Sequence, residues 1–240
     1  RNGTTLDRFY YPINLNLKGE RVLVCGGSRL ALAEIDRLVE FGAEVDVVAP
    51  NMVSELHEIA MTYGDCVALH RRPFDQTDEA ALKSGRYLLV FAYYNKEEDN
   101  KEVLKAAAQA NILAFAIDDP ERSNYIVPSL IKRGHLKISV STDALSPPLE
   151  RALVQRIEAT FVNEIDKYTL FLNAMHERIT RLLKDQNLSQ PAIFRRVVRR
   201  LAESEEIFLA LQRRNFEEAN HLAEAIVFEI KSEFNEPATL

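Results

Sequence analysis

The sequence predicts an α/β protein with a parallel sheet, followed by a small β section and a C-terminal helical domain. Short apolar runs alternate with segments of helical periodicity in the first half of the 240-residue chain, a pattern typical of a parallel sheet covered by helices. The alternation stops after Asp118-Asp119-Pro120, and helical periodicity dominates from Ser146 onward. The predicted domains are residues 1–118 for the sheet, 119–145 for the β section and 146–240 for the helices.

The first strand and the turn that follows it are the most informative part of the sequence. An apolar run at 22–25 ends in a glycine pair, helical periodicity follows over 30–39, and a second apolar strand covers 45–49. A strand, a tight glycine turn, a helix and a strand in this order form the dinucleotide-binding unit of Rossmann folds. In that unit the backbone and the helix N-terminus bind a pyrophosphate. The candidate cofactor-binding residues are Gly26, Gly27, Ser28, Arg29 and Leu30.

The glycine turn alone leaves an alternative open, namely a Rossmann-like domain that holds no nucleotide. Ser28 follows the glycine pair where a third glycine is usual, and no acid lies at the tip of the second strand to bind a ribose hydroxyl. Asp46 lies in the middle of that strand and is expected to face away from the site.

Three further strands are predicted in the sheet, at 66–69, 86–92 and 112–117. Helices are expected at 52–63, within 75–84, where Thr77 is a candidate cap, and at 95–110. Ligands of such sheets bind at the carboxyl ends of the strands.

The second half of the chain begins with an alternating strand at 136–140, preceded by a turn signal at 132–135. Ser146 ahead of Pro147-Pro148 predicts a capped helix start. Three apolar stripes follow at helical spacing, which we interpret as core or partner-facing surfaces. They are Tyr168, Phe171, Leu172, Met175, Ile179, Leu182 and Leu183; Phe194, Val197, Val198 and Leu201; and Phe216, Ala219, Leu222, Ala223, Ile226, Val227 and Ile230.

Composition argues against several classes of function. The formal net charge of −6 disfavours general nucleic-acid binding. No apolar run approaches the roughly 20 residues that span a bilayer, and the polar residues 1–8 do not resemble a signal peptide, so we expect a cytoplasmic protein with no membrane partner. Cys25 and Cys66 fall in predicted strands and are expected to be buried, and no CxxC or HExxH pattern predicts a metal site.

Three segments together resemble one family, the NAD-dependent precorrin-2 dehydrogenases of siroheme synthesis, some of which are also sirohydrochlorin ferrochelatases. The segments are 11–19 (YPINLNLKG), 118–128 (DDPERSNYIVP) and 133–147. The resemblance implies hydride transfer from precorrin-2 to NAD, which gives sirohydrochlorin, with ferrous iron as a substrate in bifunctional members. It also implies a Rossmann NAD-binding domain at 1–118, a dimerisation section at 119–145, a helical domain and a homodimer.

The resemblance also implies roles for individual residues. Asp118 matches the family's catalytic aspartate and would act as a base, either for the proton lost on oxidation or for pyrrole protons during metal insertion. The alternative is a turn carboxylate beside Asp119. The substrate carries several carboxylates, which arginine binds well. The candidate substrate-binding residues are Arg133, Arg151, Arg156 and Ser146, the last with helix capping as its alternative.

The chain departs from the family pattern around the cofactor turn. Ser28 replaces a glycine, Ala33-Glu34 replaces an Arg-Lys pair, and Phe115 replaces an asparagine. Tyr93-Tyr94 replaces Ala-Thr at the tip of the fourth strand. Both tyrosines are cofactor-binding candidates that could close over the cofactor, stack on a ring or fill the pocket.

Three functions follow as hypotheses. The main one is an NAD-dependent precorrin-2 dehydrogenase. The second is a family member without NAD chemistry that acts as a sirohydrochlorin chelatase or tetrapyrrole carrier, and the third is a non-enzymatic Rossmann regulator. Asp118, Arg133 and Arg151 favour the first two, whereas the altered cofactor turn favours the last two.

Overall fold

The structure is a computed structural model that describes residues 10–133, 136–143, 146–184 and 191–235. The chain forms two compact units. The first extends to Val127 and includes Thr142–Ser146, and the second comprises Pro128–Ser141 and the chain from Pro147 onward. The predicted use of residues 119–145 as a dimerisation section stays a prediction.

The first unit is a five-stranded parallel sheet with strand order β3-β2-β1-β4-β5. Its strands are β1 (Arg21–Cys25), β2 (Glu44–Val48), β3 (Val67–His70), β4 (Leu89–Ala92) and β5 (Leu113–Ala116). Its helices are α1 (Arg29–Glu40), α2 (Glu55–Tyr63), α3 (Gln76–Lys83) and α4 (Glu97–Gln109). All five strands and four helices were expected from the sequence, which confirms the predicted α/β fold class.

Both faces of this sheet are buried, which explains why its strands are continuous apolar runs rather than alternating ones. Leu23 and Cys25 of β1 pack with Val90 of β4 on one face. Val22 and Val24 pack on the other face with α1, whose buried positions recur at helical spacing. The carboxyl ends of β1 and β4 are neighbours in the sheet, although the chain leaves them in opposite directions along it. That arrangement is the topological switch point at which such sheets bind ligands.

Two local predictions in the first unit are wrong. The cap of α3 is Asp75 rather than Thr77, because the Asp75 carboxylate accepts the Thr77 N–H at 2.8 Å. Cys66 is exposed, since it lies in a short 3₁₀ turn ahead of β3 rather than inside the strand. Cys25 is buried as expected.

The second unit combines an antiparallel hairpin with four helices. The hairpin consists of β6 (Ser129–Arg133) and β7 (Leu136–Val140), and its turn at 134–135 lies outside the described residues. The helices are α5 (Pro147–Lys184), α6 (Pro191–Ala202), α7 (Glu205–Gln212) and α8 (Phe216–Asn235). Helix α7 begins at the Ser204 cap, whose hydroxyl accepts the Ile207 N–H.

The apolar stripes of this unit form its core, as the periodicity predicts. Buried members come from α5, α6 and α8, and they pack with residues of α7. Phe216 differs, because it is 48% exposed at the first position of α8. The side chains of Tyr168, Leu182 and Leu183 lie outside the described part. No helix within the described residues is long and apolar enough to cross a membrane.

Candidate functional site

An open cleft of about 470 Å³ lies at the carboxyl edge of the parallel sheet. Its walls are the glycine turn with the start of α1, the loop at 49–53 after β2, and residues 93–96 after β4. The cleft therefore occupies the switch point between β1 and β4, where α/β sheets of this order bind ligands. Asp46 does not line it; its carboxylate bonds to Tyr87, Arg86 and Arg21 instead.

The two glycines allow three segments to meet at this cleft. Gly26 has a φ of +144°, and a Cβ there would lie 2.5 Å from the backbone oxygen of Tyr93. A Cβ on Gly27 would lie 2.2 Å from the backbone oxygen of Asn51. A side chain at either position would push apart the tips of β1, β4 and β2, so both glycines are required by close backbone packing as well as by the turn.

Ser28 keeps the dinucleotide turn intact although it replaces a glycine. Its φ is −83°, which any L-residue adopts, and its hydroxyl accepts the Ala31 N–H at 3.5 Å as the cap of α1. Arg29 and Leu30 follow as the first two helical residues, whose N–H groups have no partner within a helix. Such free donors at the positive end of a helix dipole fit a diphosphate.

Arg29 links the start of α1 to the start of α2. Its guanidinium lies 3.1 Å from the carboxylate of Glu55, which also accepts the Ser54 hydroxyl at 3.1 Å. The backbone of the same two segments is joined where Val53 donates its N–H to the Gly27 oxygen at 2.9 Å. These bonds hold the loop after β2 against the glycine turn.

Tyr93 contributes to the cleft wall, but its ring belongs to the core. The residue is 7% exposed, and its ring stacks on Phe91 with centroids 5.8 Å apart. Its hydroxyl lies near the carboxyl of Glu34. Burial raises the pKa of the Tyr93 hydroxyl, with the Glu34 charge as a further cause. The ring is therefore not free to stack on a ligand.

Three departures from the family pattern are in physical contact with one another. The Glu34 carboxyl lies near the Tyr93 hydroxyl, and the Tyr93 ring meets Phe115 edge-on at 6.2 Å. Burial raises the pKa of Glu34, an effect that Arg37 at 3.7 Å and the Tyr93 hydroxyl only partly offset. Glu34 thus points into the core and is not among the residues that line the cleft. We name Glu34, Tyr93 and Phe115 the aromatic–acid cluster.

Tyr94 lies across the carboxyl edge of the sheet, on the face opposite to Tyr93. Its hydroxyl donates to the Val48 carbonyl at the end of β2, at 2.9 Å. Burial raises the pKa of this hydroxyl. Tyr94 packs against the core cluster that contains Cys25 and Val48, and it also lines the cleft.

Asp118 is an exposed carboxylate tied to the cleft through Asn100. Both Asp118 oxygens lie 3.0 Å from the Asn100 side-chain nitrogen. Asn100 is fully buried, and its amide also bonds to the N–H and the carbonyl of Tyr94 at 2.9 and 3.0 Å. One asparagine on α4 therefore fixes the tip of β4 relative to the carboxylate that follows β5.

This role of Asn100 was not predicted from the sequence. The signal was its position: a lone amide within the first turns of α4 faces the strand tips. An amide that donates and accepts at once is suited to bridging a backbone N–H and a carbonyl.

The rest of the segment after Asp118 supports the sheet edge. The Ser123 hydroxyl accepts the Ala116 N–H at 2.9 Å, and the Asn124 side-chain oxygen accepts the Ala114 N–H at 2.8 Å. Asp119 is buried and accepts hydrogen bonds from the Arg122 backbone and guanidinium. These residues hold the loop in place, whereas Asp118 is left exposed.

The predicted substrate-binding residues are divided between the two units. Arg133 pairs with Glu158 of α5 at 3.1 Å, and Arg151 and Arg156 are exposed on α5. Within the described residues Arg151 makes no ion pair or hydrogen bond. Ser146 lies in the first unit directly ahead of α5 and donates its N–H to the Thr142 hydroxyl at 3.0 Å. Their roles stay predictions.

Comparison with known proteins agrees with this architecture. Residues 13–129 match the family NAD_binding_7, described as "Putative NAD(P)-binding". Siroheme synthase 3 of Aeromonas hydrophila is 31% identical over 218 residues, which is 90% of this chain and 44% of that protein. The siroheme synthase of Gluconacetobacter diazotrophicus is 32% identical over 179 residues, which is 75% of this chain and 37% of that protein.

A solved structure shares the fold. It is that of SirC, a precorrin-2 dehydrogenase, which has a TM-score of 0.70 and 22% identity and covers 93% of this chain and 100% of its own. The chain spans less than half the length of the curated relatives described above. These comparisons agree with the resemblance predicted from the three sequence segments: the chain is similar to siroheme synthases over most of its length and shares its fold with SirC.

Proposed function

We propose that this chain is a nicotinamide-dependent dehydrogenase that oxidises precorrin-2 to sirohydrochlorin in siroheme biosynthesis, with NAD as its cofactor. One observation carries the proposal: Asn100 connects the cleft wall at Tyr94 to the exposed carboxylate of Asp118. A cofactor site and a candidate base are thereby held by the same buried amide. The siroheme synthase relatives supply the substrate class.

The cofactor half of the proposal rests on the cleft at the glycine turn. The first-turn amides of Arg29 and Leu30 would bind the diphosphate, and Ser28 leaves this turn unstrained. When bound, the nicotinamide supplies the hydride acceptor. Tyr93 and Tyr94 contribute wall rather than a stacking platform, because the Tyr93 ring packs on Phe91 and the Tyr94 hydroxyl donates to the Val48 carbonyl.

Asp118 is proposed as the base. Oxidation of precorrin-2 transfers one hydride to NAD and releases one proton, which an exposed carboxylate held in one orientation by Asn100 can accept. The carboxylates of the substrate would meet Arg133, Arg151 and Arg156, with Ser146 as a further contact. Arg151 is a suitable candidate, since it has no partner within the described part of the chain.

A second candidate function is insertion of ferrous iron into sirohydrochlorin, or transport of a tetrapyrrole. It is favoured by the position of Asp118, which is not among the residues lining the cofactor cleft and so could serve a reaction without NAD. A carboxylate beside the macrocycle could also accept the pyrrole protons that metal insertion displaces. We further propose that the protein works as a homodimer.

The test is anaerobic turnover of enzymatically generated precorrin-2 with NAD, followed by the absorbance of sirohydrochlorin. We expect NAD-dependent conversion by the wild-type protein and a fall in kcat of about 10²–10⁴-fold for Asp118→Asn, the range for loss of a general base. Glu121→Gln, which removes an exposed carboxylate from the same loop, is the matched control and should stay within about twofold of the wild type.

The outcomes separate the two functions. If the folded wild-type protein converts no precorrin-2, the dehydrogenase is contradicted, and iron insertion into sirohydrochlorin becomes the assay for Asp118. If conversion persists in Asp118→Asn at the wild-type rate, the assignment of the base is contradicted while the dehydrogenase stands.

A further inference from the structure

We infer that Glu55 determines cofactor specificity: by pairing with Arg29 it disfavours a 2′-phosphate on the adenosine ribose, so the site selects NAD over NADP. This inference rests on the proposed nicotinamide function. It assigns to Glu55 a role usually held by an acid at the end of the second strand.

The loop that normally decides this choice carries no charge in this protein. In dinucleotide-binding folds an acid after the second strand binds the ribose 2′-hydroxyl, or an arginine there accommodates a 2′-phosphate. The cleft-lining loop after β2 consists of Ala49, Pro50, Asn51, Met52 and Val53. Discrimination between the two cofactors must therefore come from a charged group that reaches this loop from elsewhere.

Arg29 is the charged cleft residue placed to do so. The other two charged residues that line the cleft are Lys96 and Asp99, which lie beyond β4. The Arg29 guanidinium instead lies 3.1 Å from the Glu55 carboxylate, two residues after the uncharged loop ends. A flexible cation at this end of the cleft would attract a 2′-phosphate if nothing opposed it.

Glu55 opposes that attraction in two ways. It occupies the Arg29 guanidinium, and it places its own negative charge beside the loop. The Ser54 hydroxyl and the Arg29 guanidinium both donate to this carboxylate. Its own backbone N–H, the Ser54 hydroxyl and Arg29 also lower the pKa of Glu55, so it stays ionised at neutral pH. To bind Arg29, a 2′-phosphate would have to displace the Glu55 carboxylate from the guanidinium and would be repelled by its negative charge. An uncharged 2′-hydroxyl would meet neither obstacle.

The loop cannot easily retreat to relieve this repulsion. Val53 donates its N–H to the Gly27 oxygen at 2.9 Å. The Asn51 backbone packs directly against Gly27, since a Cβ on Gly27 would lie 2.2 Å from the Asn51 oxygen. The backbone directly ahead of Glu55 is therefore held against the glycine turn, so the loop stays close to it.

The experiment measures the dissociation constants of NAD and NADP by isothermal titration calorimetry at low ionic strength, where charge effects are least screened. Glu55→Gln frees Arg29 and removes the negative charge. We expect the affinity for NADP to rise about tenfold and the affinity for NAD to change by less than about threefold. Glu58→Gln removes an exposed charge one turn further along α2 and should leave the ratio of the two constants within about twofold of the wild type.

Each result decides a different claim. An NADP-to-NAD ratio in Glu55→Gln equal to that of the wild type, or a wild type that binds NADP as tightly as NAD, overturns the inference and leaves the nicotinamide function standing. If neither dinucleotide binds the folded wild type or the variant, the proposed nicotinamide function fails, and the inference fails with it. A rise in NADP affinity that Glu58→Gln reproduces would show a general charge effect and would also overturn the role of Glu55.

Discussion

A carboxylate is buried on each face of the parallel sheet, Asp46 on one face and Glu34 on the other, and their pKa values are shifted in opposite directions. Asp46 on β2 is 3% exposed and accepts from the Tyr87 hydroxyl at 2.8 Å and from Arg86 at 3.1 Å. Glu34 on α1 has the Tyr93 hydroxyl nearby and an arginine, Arg37, at 3.7 Å. Burial penalises both charges, but only Asp46 has enough donors to outweigh it.

The pKa shifts express this difference. Burial acts to raise the pKa of Asp46, yet the hydrogen bonds from Tyr87 and His70 and the charge of Arg86 bring it below the ordinary value of 3.8. Burial raises the pKa of Glu34 above its ordinary value of 4.5, and its partners do not reverse this. Asp46 therefore supports the fold, whereas ionised Glu34 is a local cost in stability beside the glycine turn.

The largest effect that tests this contrast is expected from Asp46→Ala. The substitution leaves Tyr87, Arg86 and Arg21 without their shared acceptor, and we expect a loss of about 3 kcal/mol in the free energy of unfolding. Urea denaturation followed by circular dichroism would measure it. Glu44→Ala on the same strand removes a half-exposed partner of Arg21 and should cost about 0.5 kcal/mol. Equal losses in the two variants would contradict a special role for Asp46.

A smaller effect is expected when the hydroxyl near Glu34 is removed. Tyr93→Phe keeps the ring packed against Phe91 but removes the hydroxyl near the Glu34 carboxyl, and we expect a loss of about 1 kcal/mol in the free energy of unfolding. Tyr125→Phe is the matched control, because its hydroxyl makes only a 3.5 Å contact with the Val90 carbonyl and its loss should cost about 0.5 kcal/mol. The same denaturation measurement applies, and a Tyr93→Phe variant as stable as Tyr125→Phe would show that the Tyr93 hydroxyl does not stabilise the buried Glu34 carboxyl.

The smallest effect concerns pH. Because the folded-state pKa of Glu34 is raised, protonated Glu34 contributes to the free energy of unfolding. This contribution is fully present below about pH 4.5 and is lost as pH rises through the folded-state pKa. The contribution of Asp46 has the opposite sign: it is present above about 3.8 and is lost as pH falls through its lowered folded value.

Glu34→Gln isolates the first of these contributions. The variant should match the wild type in acid and become the more stable of the two as pH rises towards neutrality, while both lose stability together at the lowest pH. Unfolding free energies measured across this range would show it. A difference that stays constant with pH would mean that Glu34 titrates at its ordinary pKa in the folded protein.

The fold was largely predictable because it depends on short-range patterns. The apolar run of β1, its glycine pair and the periodicity of α1 each appear in a window of about a dozen residues. The sequence also identified the cofactor turn and Asp118 as candidates, since both follow strand ends. The link from Asp118 through Asn100 to Tyr94 in the cleft wall was not predictable in detail, because α4 and the tips of β4 and β5 meet only in the folded sheet.

The contacts within the aromatic–acid cluster were not predicted from the sequence pattern. Tyr93 was expected to face the pocket, but residues two apart on a strand share a face, so Tyr93 follows Phe91 into the core. Glu34 replaces a basic residue of the family pattern, yet it does not line the cleft, because it lies among the buried positions of α1 with Ala31, Ile35 and Leu38. Each departure looked independent in the sequence, whereas in the structure they contact one another.

The loop after Asp118 also covers the free edge of β5, one of the two outer strands of the sheet. An outermost strand normally offers unpaired N–H and C=O groups on which a strand of another molecule can assemble. Here the side chains of Ser123 and Asn124 accept hydrogen bonds from the N–H groups of Ala116 and Ala114. The Asn124 N–H in turn donates to the Ala114 carbonyl at 3.1 Å. The segment that presents the candidate base thus also protects β5 against edge-to-edge aggregation, so a substitution made there to alter chemistry also risks solubility.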